Sequence, residues 1–213
     1  FLDPQMGTIP TRSTTATRLS QRLLVSLCAL LGFELDSLDV GNAFLRGFDF
    51  ATLHEKLAQK GISSPVRKVF VRPPANVWRL LRKLSPELSV PYGAEKDYYL
   101  EALRAIYGLN DGRLAWQLCL LEYLVDELNG TQSHFDENMI IWFKSSCSPG
   151  GGNLEALAAA HVDDNNLAGS RAWLDRTHAA FVGKFQKIER QSLPYSHCGV
   201  EYSRLHSTIR MTQ

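Results

Sequence analysis

Two adjacent aspartates, Asp163 and Asp164, stand between apolar segments in the stretch from Leu154 to Ser170. Like charges repel and ionised groups resist burial, so such a pair is costly inside a strand but is tolerated at the tip of a hairpin. The composition Asp-Asp-Asn-Asn between two strand-like segments is also typical of a tight turn. We therefore predict a hairpin whose tip presents two carboxylates. They are either ordinary turn residues or ligands for a hard divalent cation such as Mg²⁺.

The overall composition is that of a globular protein and names no partner. A chain of 213 residues, 45% hydrophobic and 21% charged, can form one large domain with a substantial core, and the net charge is +1. The four cysteines form no C-x-x-C pair, so we expect reduced thiols in an intracellular protein, cytoplasmic or nuclear and not secreted. No signal peptide or apolar run of about 18 residues is visible, which predicts no membrane partner.

Helical and strand-like patterns alternate along the chain. Leucines at three- or four-residue steps predict a helix that starts in the Ser/Thr cluster after Ser13 and ends at Gly32. A strand follows, and further helices are expected from Arg113 and after Ser170, with short strands from Lys187 onward. Alternating helices and antiparallel strands predict an α+β fold, an antiparallel sheet with helices on one face.

Asp39 lies in the first predicted strand, between Leu38 and Val40. A buried carboxylate needs a partner, whereas strand alternation alone would place this one on the solvent face. If this strand neighbours the predicted hairpin, then Asp39, Asp163 and Asp164 converge. A cluster of carboxylates is what two divalent cations about 4 Å apart require for in-line phosphoryl transfer.

A basic segment separates the two acidic positions. Eight lysines and arginines, and no acid, occur between Glu55 and Glu87. The pattern predicts either a solvated surface or a groove that follows a phosphate backbone. The later helix from Arg113 is acidic on its outer side, so we expect it to face solvent, away from any polyanion. The candidate nucleic-acid-binding residues of the basic segment are Lys60, Arg67, Lys68 and Arg72.

Six segments, in order, resemble motifs of the reverse transcriptases of copia-type retrotransposons. L-D-V-G-N-A-F-L-R-G resembles the first catalytic motif, I-Y-G-L-N-D-G-R-L-A-W resembles the L-Y-G-L motif, and H-V-D-D resembles the Y-V-D-D box. V-F-V-R-P-P, Q-S-H-F-D-E-N and H-C-G-V-E-Y are similar to connecting segments of that family. The matches run from about Ser13 to Gln213.

The resemblance implies a polymerase fingers-and-palm fold. The palm would be discontinuous, with residues 13–47 and 97–213 flanking a fingers-like basic insert at 48–96, after an irregular lead-in at 1–12. The chain begins with Phe1, which fits a piece of a longer Pol polyprotein truncated at both ends. The RNase H and integrase regions of that polyprotein would be its partners.

The resemblance also implies RNA-directed DNA polymerase activity. A DNA primer 3′-hydroxyl would attack a deoxynucleoside triphosphate on an RNA template, with two Mg²⁺ ions, or Mn²⁺, as cofactors. Asp39 and Asp163 would hold the metals, and Asp164 would complete the catalytic and metal-binding triad. Phe44 would sit under the sugar of the nucleotide; its alternative role is that of an ordinary core residue. The remaining implied contacts are Val40, Tyr107 and Gly108 for the nucleotide and Gly199 for the primer.

Three departures from the family pattern leave alternatives open. His161 replaces the tyrosine before the aspartates, the second motif lacks the family's Lys-Gln-Ala-Pro-Arg, and Asn165 and Asn166 replace apolar residues, which should weaken the returning strand. One alternative is a degenerate, inactive copy that only binds nucleic acid. The other is a non-catalytic interaction domain.

Overall fold

The computed structural model describes residues 10–88, 90–144 and 153–212. The segment that contains Cys147 and most of the predicted lead-in lie outside these residues. The α-helices are α1 Arg18–Leu31, α2 Ala43–Arg46, α3 Phe50–Gln59, α4 Ala75–Leu84, α5 Gly112–Glu122 and α6 Arg171–Phe185. The strands are β1 Glu34–Val40, β2 Val69–Val71, β3 Leu100–Ala102, β4 Thr131–Gln132, β5 Met139–Phe143, β6 Leu154–His161, β7 Asp164–Gly169, β8 Ile188–Ser192, β9 Tyr195–His197, β10 Val200–Leu205 and β11 Thr208–Thr212. Two short 3₁₀ segments, Pro86–Leu88 and Glu95–Asp97, and a π-helical turn, Tyr123–Glu127, complete the regular structure.

A six-stranded antiparallel sheet forms the centre of the protein, in the order β4-β5-β6-β7-β1-β8. β1 lies between β7 and β8, so both of the strands that pair with it come from the second half of the sequence. Two small sheets, β9-β10-β11 and β2-β3, stand apart from it. The predicted α+β class with antiparallel strands is confirmed.

Helices cover both faces of the central sheet, and the expectation of helices on one face is therefore wrong. Alternate residues of β6 point to opposite faces, and both sets are apolar. Ala156, Ala158 and Ala160 pack in the layer formed by α5 and α6, while Leu157 and Ala159 pack in the layer formed by α1 and the sheet β9-β11. A strand with two apolar faces is buried on both sides, and the sequence of β6 already carries that signal.

The first helix begins and ends where its sequence predicts. The side chain of Thr17 accepts a hydrogen bond from the Ser20 N–H at the start of α1, and Gly32 takes the left-handed conformation at its end. Leu24, Val25 and Cys28 form the buried face. This face packs on β6 and β7, which fixes α1 across the middle of the sheet.

The predicted insert 48–96 packs directly against the elements on either side of it. Leu53 and Leu57 of α3 form a cluster with Leu114 and Ala115 of α5. β2 pairs with β3, which lies beyond the predicted boundary at residue 97. The insert therefore shares its small sheet and its apolar contacts with the rest of the chain. Among the described residues, no helix is long and apolar enough to cross a membrane.

Candidate carboxylate site

The acidic residues of the first strand and of the hairpin meet at one end of the central sheet. β1 pairs with β7 so that Asp39 stands directly opposite Asp164. Residues directly opposite in an antiparallel pair lie on the same face. Asp163 occupies the turn between β6 and β7. The predicted hairpin is confirmed, and the adjacency of the two strands, which is the condition for the acids to converge, is present.

The hairpin turn consists of Val162 and Asp163, and it is held from two directions. Val162 has a φ of 54°, an unfavourable conformation for a β-branched residue, so the turn depends on its surroundings. The indole N–H of Trp116 in α5 donates a hydrogen bond of 2.6 Å to the Val162 carbonyl. The Val40 N–H donates one of 3.0 Å to the Asp163 carbonyl. Two distant segments therefore fix the position of the carboxylates.

Burial and the repulsion of neighbouring acids raise the pKa values of Asp39 and Asp164. Burial raises the pKa of Asp39, and the carboxylates of Asp163 and Glu189 raise it further. Burial also raises the pKa of Asp164, with Asp163 and then Asp39 adding to the effect. Glu189 stands opposite Asp39 on β8 and was not singled out from the sequence. Carboxylate oxygens are the ligands that hard divalent cations prefer, and a cation close to Asp39 and Asp164 would relieve this repulsion.

Asp164 also belongs to a second group of potential ligands. Its carboxylate, a ring nitrogen of His197 and the sulfur of Cys198 lie within 4.8 Å of one another. Asp39 and Asp163 are outside this group. His197 is buried, and burial, followed by the proximity of His161, lowers its pKa to about 4. His197 and Cys198, the two residues before Gly199, were not predicted to be ligands.

The residues predicted to contact the nucleotide are arranged around the start of α5 and the end of β1. The rings of Phe44 and Tyr107 lie 5.4 Å apart, and Tyr107 is exposed. Gly108 has a φ of 94°, which favours glycine. Val40 is buried, so only its backbone is available for a contact. Phe44 is half-buried and packs against the core, so its core interpretation also stands.

The residue predicted to contact the primer lies in the turn between β9 and β10. Cys198 and Gly199 both have positive φ values, 50° and 75°, and form this two-residue turn. His161 reaches the same turn, because its Nδ1 lies 3.1 Å from the Cys198 sulfur. Gly199 is thus next to the hairpin that carries Asp163 and Asp164.

The predicted nucleic-acid-binding residues differ in exposure. Lys60, Lys68 and Arg72 are exposed, and Arg72 stacks on Tyr99 at 4.7 Å from the ring centre. Arg67 is only 6% exposed, so its prediction as a nucleic-acid contact is wrong. Its guanidinium forms a 3.1 Å ion pair with the carboxylate of Asp111, which is itself buried, and it cannot reach a polyanion at the surface.

Acids distant in sequence neutralise other members of the basic segment. Lys56 pairs with Glu122 of α5 at 2.5 Å, and Arg82 pairs with Glu95. The acidic side of α5 is therefore not turned entirely to solvent, because the carboxylate of Glu122 forms an ion pair with Lys56 of the basic segment. Charge separation along the sequence is partly cancelled in the folded protein.

A cleft of about 770 Å³ opens beside the two turns. It is bordered by His161 and Cys198 on one side and by Arg18 and Arg22, from the first turns of α1, on the other. Both arginines are exposed. Nothing local in the sequence indicates that this exposed side of α1 lies close to the carboxylate site.

No protein-family description, curated protein or solved structure matches this chain.

Proposed function

We propose that the protein is a template-directed nucleotidyltransferase of the reverse-transcriptase type, with its centre at Asp39, Asp163 and Asp164. The observation that carries the proposal is the register between β1 and β7, which sets Asp39 opposite Asp164 with Asp163 in the adjoining turn. Acids far apart in the sequence become neighbours at one sheet end. Burial and the neighbouring carboxylates raise the pKa values of Asp39 and Asp164, so ionisation of these two groups is opposed there.

These side chains would act as ligands and as a fixed frame. Asp39 and Asp163 would hold the divalent cations, and Asp164 would complete the set. When bound, the metal ions supply activation of the attacking 3′-hydroxyl and stabilisation of the leaving oxygen. The protein itself would fix the position of the carboxylates, because Trp116 and Val40 donate hydrogen bonds to the backbone carbonyls of the turn that carries Asp163. Fixed placement of reacting groups is a large part of catalysis in such reactions.

The surroundings of the carboxylates support a polyanionic substrate. The cleft beside the hairpin carries Arg18 and Arg22, and the exposed lysines Lys60 and Lys68 add positive charge elsewhere on the surface. Cationic side chains gain affinity for a phosphate backbone by releasing its counterions. Phe44 and Tyr107, with rings 5.4 Å apart, offer an apolar and partly exposed surface for a sugar or base.

Extension of a DNA primer on an RNA template tests the proposal. With Mg²⁺ and deoxynucleoside triphosphates, the wild-type chain is expected to lengthen the primer. Asp163→Asn removes a proposed metal ligand at an exposed turn and should reduce extension to background. Asp126→Asn, an exposed aspartate on the π-helical turn, is the matched control and should extend like the wild type.

Binding of the same primed template, measured at increasing salt concentration, distinguishes the alternatives. Salt-sensitive binding of the primed template without extension, by both the wild type and Asp163→Asn, would identify an inactive nucleic-acid-binding copy. An absence of salt-sensitive binding would instead favour a protein-interaction domain, since its basic residues would form only a solvated surface.

A further inference from the structure

The turn between β9 and β10 brings three different metal-ligating groups to one point. The carboxylate of Asp164, an imidazole nitrogen of His197 and the thiol of Cys198 lie within 4.8 Å of one another. They come from two hairpins that are more than 30 residues apart in sequence, so neighbouring positions in the chain do not account for the cluster. Ligands of a four-coordinate Zn²⁺, bound at about 2.0–2.3 Å, stand about 3–4 Å from one another, so only a small closure is needed.

The imidazole of His197 provides an independent indication of a ligand. The residue is 3% exposed, and its Nε2 is buried with no hydrogen-bond partner among the residues that the structure describes. Its Nδ1 lies 3.5 Å from the hydroxyl of Ser37. Buried polar atoms nearly always have partners, so an orphan nitrogen needs an explanation. A histidine that binds a metal through one nitrogen usually has an oxygen partner for the other.

We propose that Asp164, His197 and Cys198 bind a single borderline-soft divalent ion of the Zn²⁺ type. Thiolate with imidazole selects Zn²⁺ over Mg²⁺, which prefers oxygen ligands alone. Three protein ligands leave a fourth position for water or another ligand. His197 and Cys198 border the 770 Å³ cleft, so this position is accessible from it. Metal binding displaces the thiol proton of Cys198 to solvent.

His161 would support this site without being one of its three ligands. Its Nδ1 lies 3.1 Å from the Cys198 sulfur, within the reach of a hydrogen bond to a thiolate. Such outer partners orient a ligand and tune its basicity, and their loss typically weakens metal affinity about 10–100-fold. The histidine at position 161, where the motif that it resembles has tyrosine, would therefore orient Cys198 for metal binding. The proposal does not depend on polymerase activity, although Asp164 would be shared by the two sites.

Titration of the metal-free protein with Co²⁺ tests the inference directly, because a cobalt–thiolate bond gives a near-ultraviolet charge-transfer absorption. The wild type should develop this band, and Zn²⁺ should abolish it while a large excess of Mg²⁺ should not. Cys198→Ser, at an exposed turn position, should lose the band. His161→Ala should keep it with affinity about 10–100-fold weaker. Circular dichroism establishes that each variant is folded.

Two thiol variants serve as controls. Cys119→Ser changes a half-buried cysteine of α5, which packs on the opposite face of the central sheet from β9 and β10, and Cys147→Ser changes a cysteine outside the described residues; both should retain the band. The inference is overturned if folded wild type gives no band, if the band survives in Cys198→Ser, or if Mg²⁺ displaces cobalt as readily as Zn²⁺ does.

Discussion

Asn166 is a polar side chain at a fully buried position of β7, and its two amide atoms are both used. Its Nδ2 donates to Gln21 Oε1 of α1 at 3.0 Å, and its Oδ1 accepts from the Tyr195 hydroxyl of β9 at 2.9 Å. The expectation that this asparagine weakens the returning strand is wrong, because β7 keeps its full pairing with β1 and β6. Asn166 instead links a helix and the second sheet to the centre of the main one.

Replacement by the apolar residue expected from the family pattern should therefore destabilise this protein. Asn166→Leu leaves Gln21 Oε1 and the Tyr195 hydroxyl buried without their partner, at about 1–3 kcal/mol for each such group. The free energy of unfolding from denaturant titration should fall accordingly. Tyr195→Phe in the Asn166→Leu background removes one orphaned hydroxyl and should cost less than it does in the wild type. Additive losses in this double-mutant cycle would contradict the link between the two residues.

At the scale of elements, α1 is fixed to the sheet by an acid that the sequence pattern did not explain. Asp136, in the segment before β5, accepts hydrogen bonds from the Thr17 N–H at 2.7 Å and the Ser20 hydroxyl at 2.5 Å. It also accepts one from the Asn138 N–H at 2.9 Å. Burial raises the pKa of Asp136, but these hydrogen bonds outweigh it and hold the pKa below its ordinary value. The anchor requires the ionised form.

Stability should consequently depend on pH through Asp136. A lowered pKa in the folded state means that the contribution is complete above the unfolded value of about 3.9 and is lost as pH falls through the folded one. Asp136→Asn should lower the unfolding free energy at pH 7 by about 1.5–3 kcal/mol. It should also make that free energy fall less steeply than in the wild type as the pH drops below about 4. Asp126→Asn, on the exposed π-helical turn, should retain the wild-type pH dependence; an unchanged slope in Asp136→Asn would disprove the anchor.

Local chemistry in the sequence predicts the elements well, and long-range pairing limits the rest. Thr17 and Gly32 mark the ends of α1, and the two-residue turn at Asp163 marks the hairpin, because capping and turn geometry depend on adjacent residues. The sequence does not separate Asp36 from Asp39. In the structure, Asp36 is buried and bonded to Arg190 and Arg171, whereas Asp39 lies at the end of the sheet. Both environments depend on segments that come much later in the chain, so the residues around each aspartate do not reveal them.

The same limit applies to the candidate sites. Apolar spacing and an acid between apolar residues sufficed to select Asp39, Asp163 and Asp164 for attention. Nothing local marks His197 as a neighbour of Asp164, because that contact depends on how the β9–β10 turn folds back against the hairpin. The sequence of β6 did indicate that both faces of the sheet are covered, because the residues that point to either face are apolar.

Across the whole molecule, folding divides the basic residues into those that hold the structure together and those that remain on its surface. Arg67 and Asp111 form a buried ion pair between the insert and the start of α5, next to the cluster in which α3 packs on that helix. Lys68, the next residue, is exposed. Neighbours in sequence thus have opposite roles: one contributes to stability and the other is available to a polyanion.

Variants of this adjacent pair should separate the two roles. Arg67→Met removes the guanidinium that lies 3.1 Å from the buried Asp111 carboxylate and should reduce the unfolding free energy by about 3–5 kcal/mol, while Lys68→Met should leave it within about 0.5 kcal/mol of the wild type. Adding Asp111→Asn to Arg67→Met should recover part of the loss, because the carboxylate that faced the guanidinium then carries no charge.

Nucleic-acid affinity should depend on the exposed Lys68 and not on the buried Arg67. If Lys68 neutralises one phosphate, Lys68→Met should reduce the slope of log affinity against log salt by about 1, measured by fluorescence anisotropy with a labelled duplex. Arg67→Met combined with Asp111→Asn should leave the slope unchanged as long as the protein is folded, since Arg67 is too deeply buried to contact a phosphate. A reduced slope in that double variant, with an unchanged one in Lys68→Met, would mean that the buried arginine becomes exposed on binding and that the insert rearranges around nucleic acid.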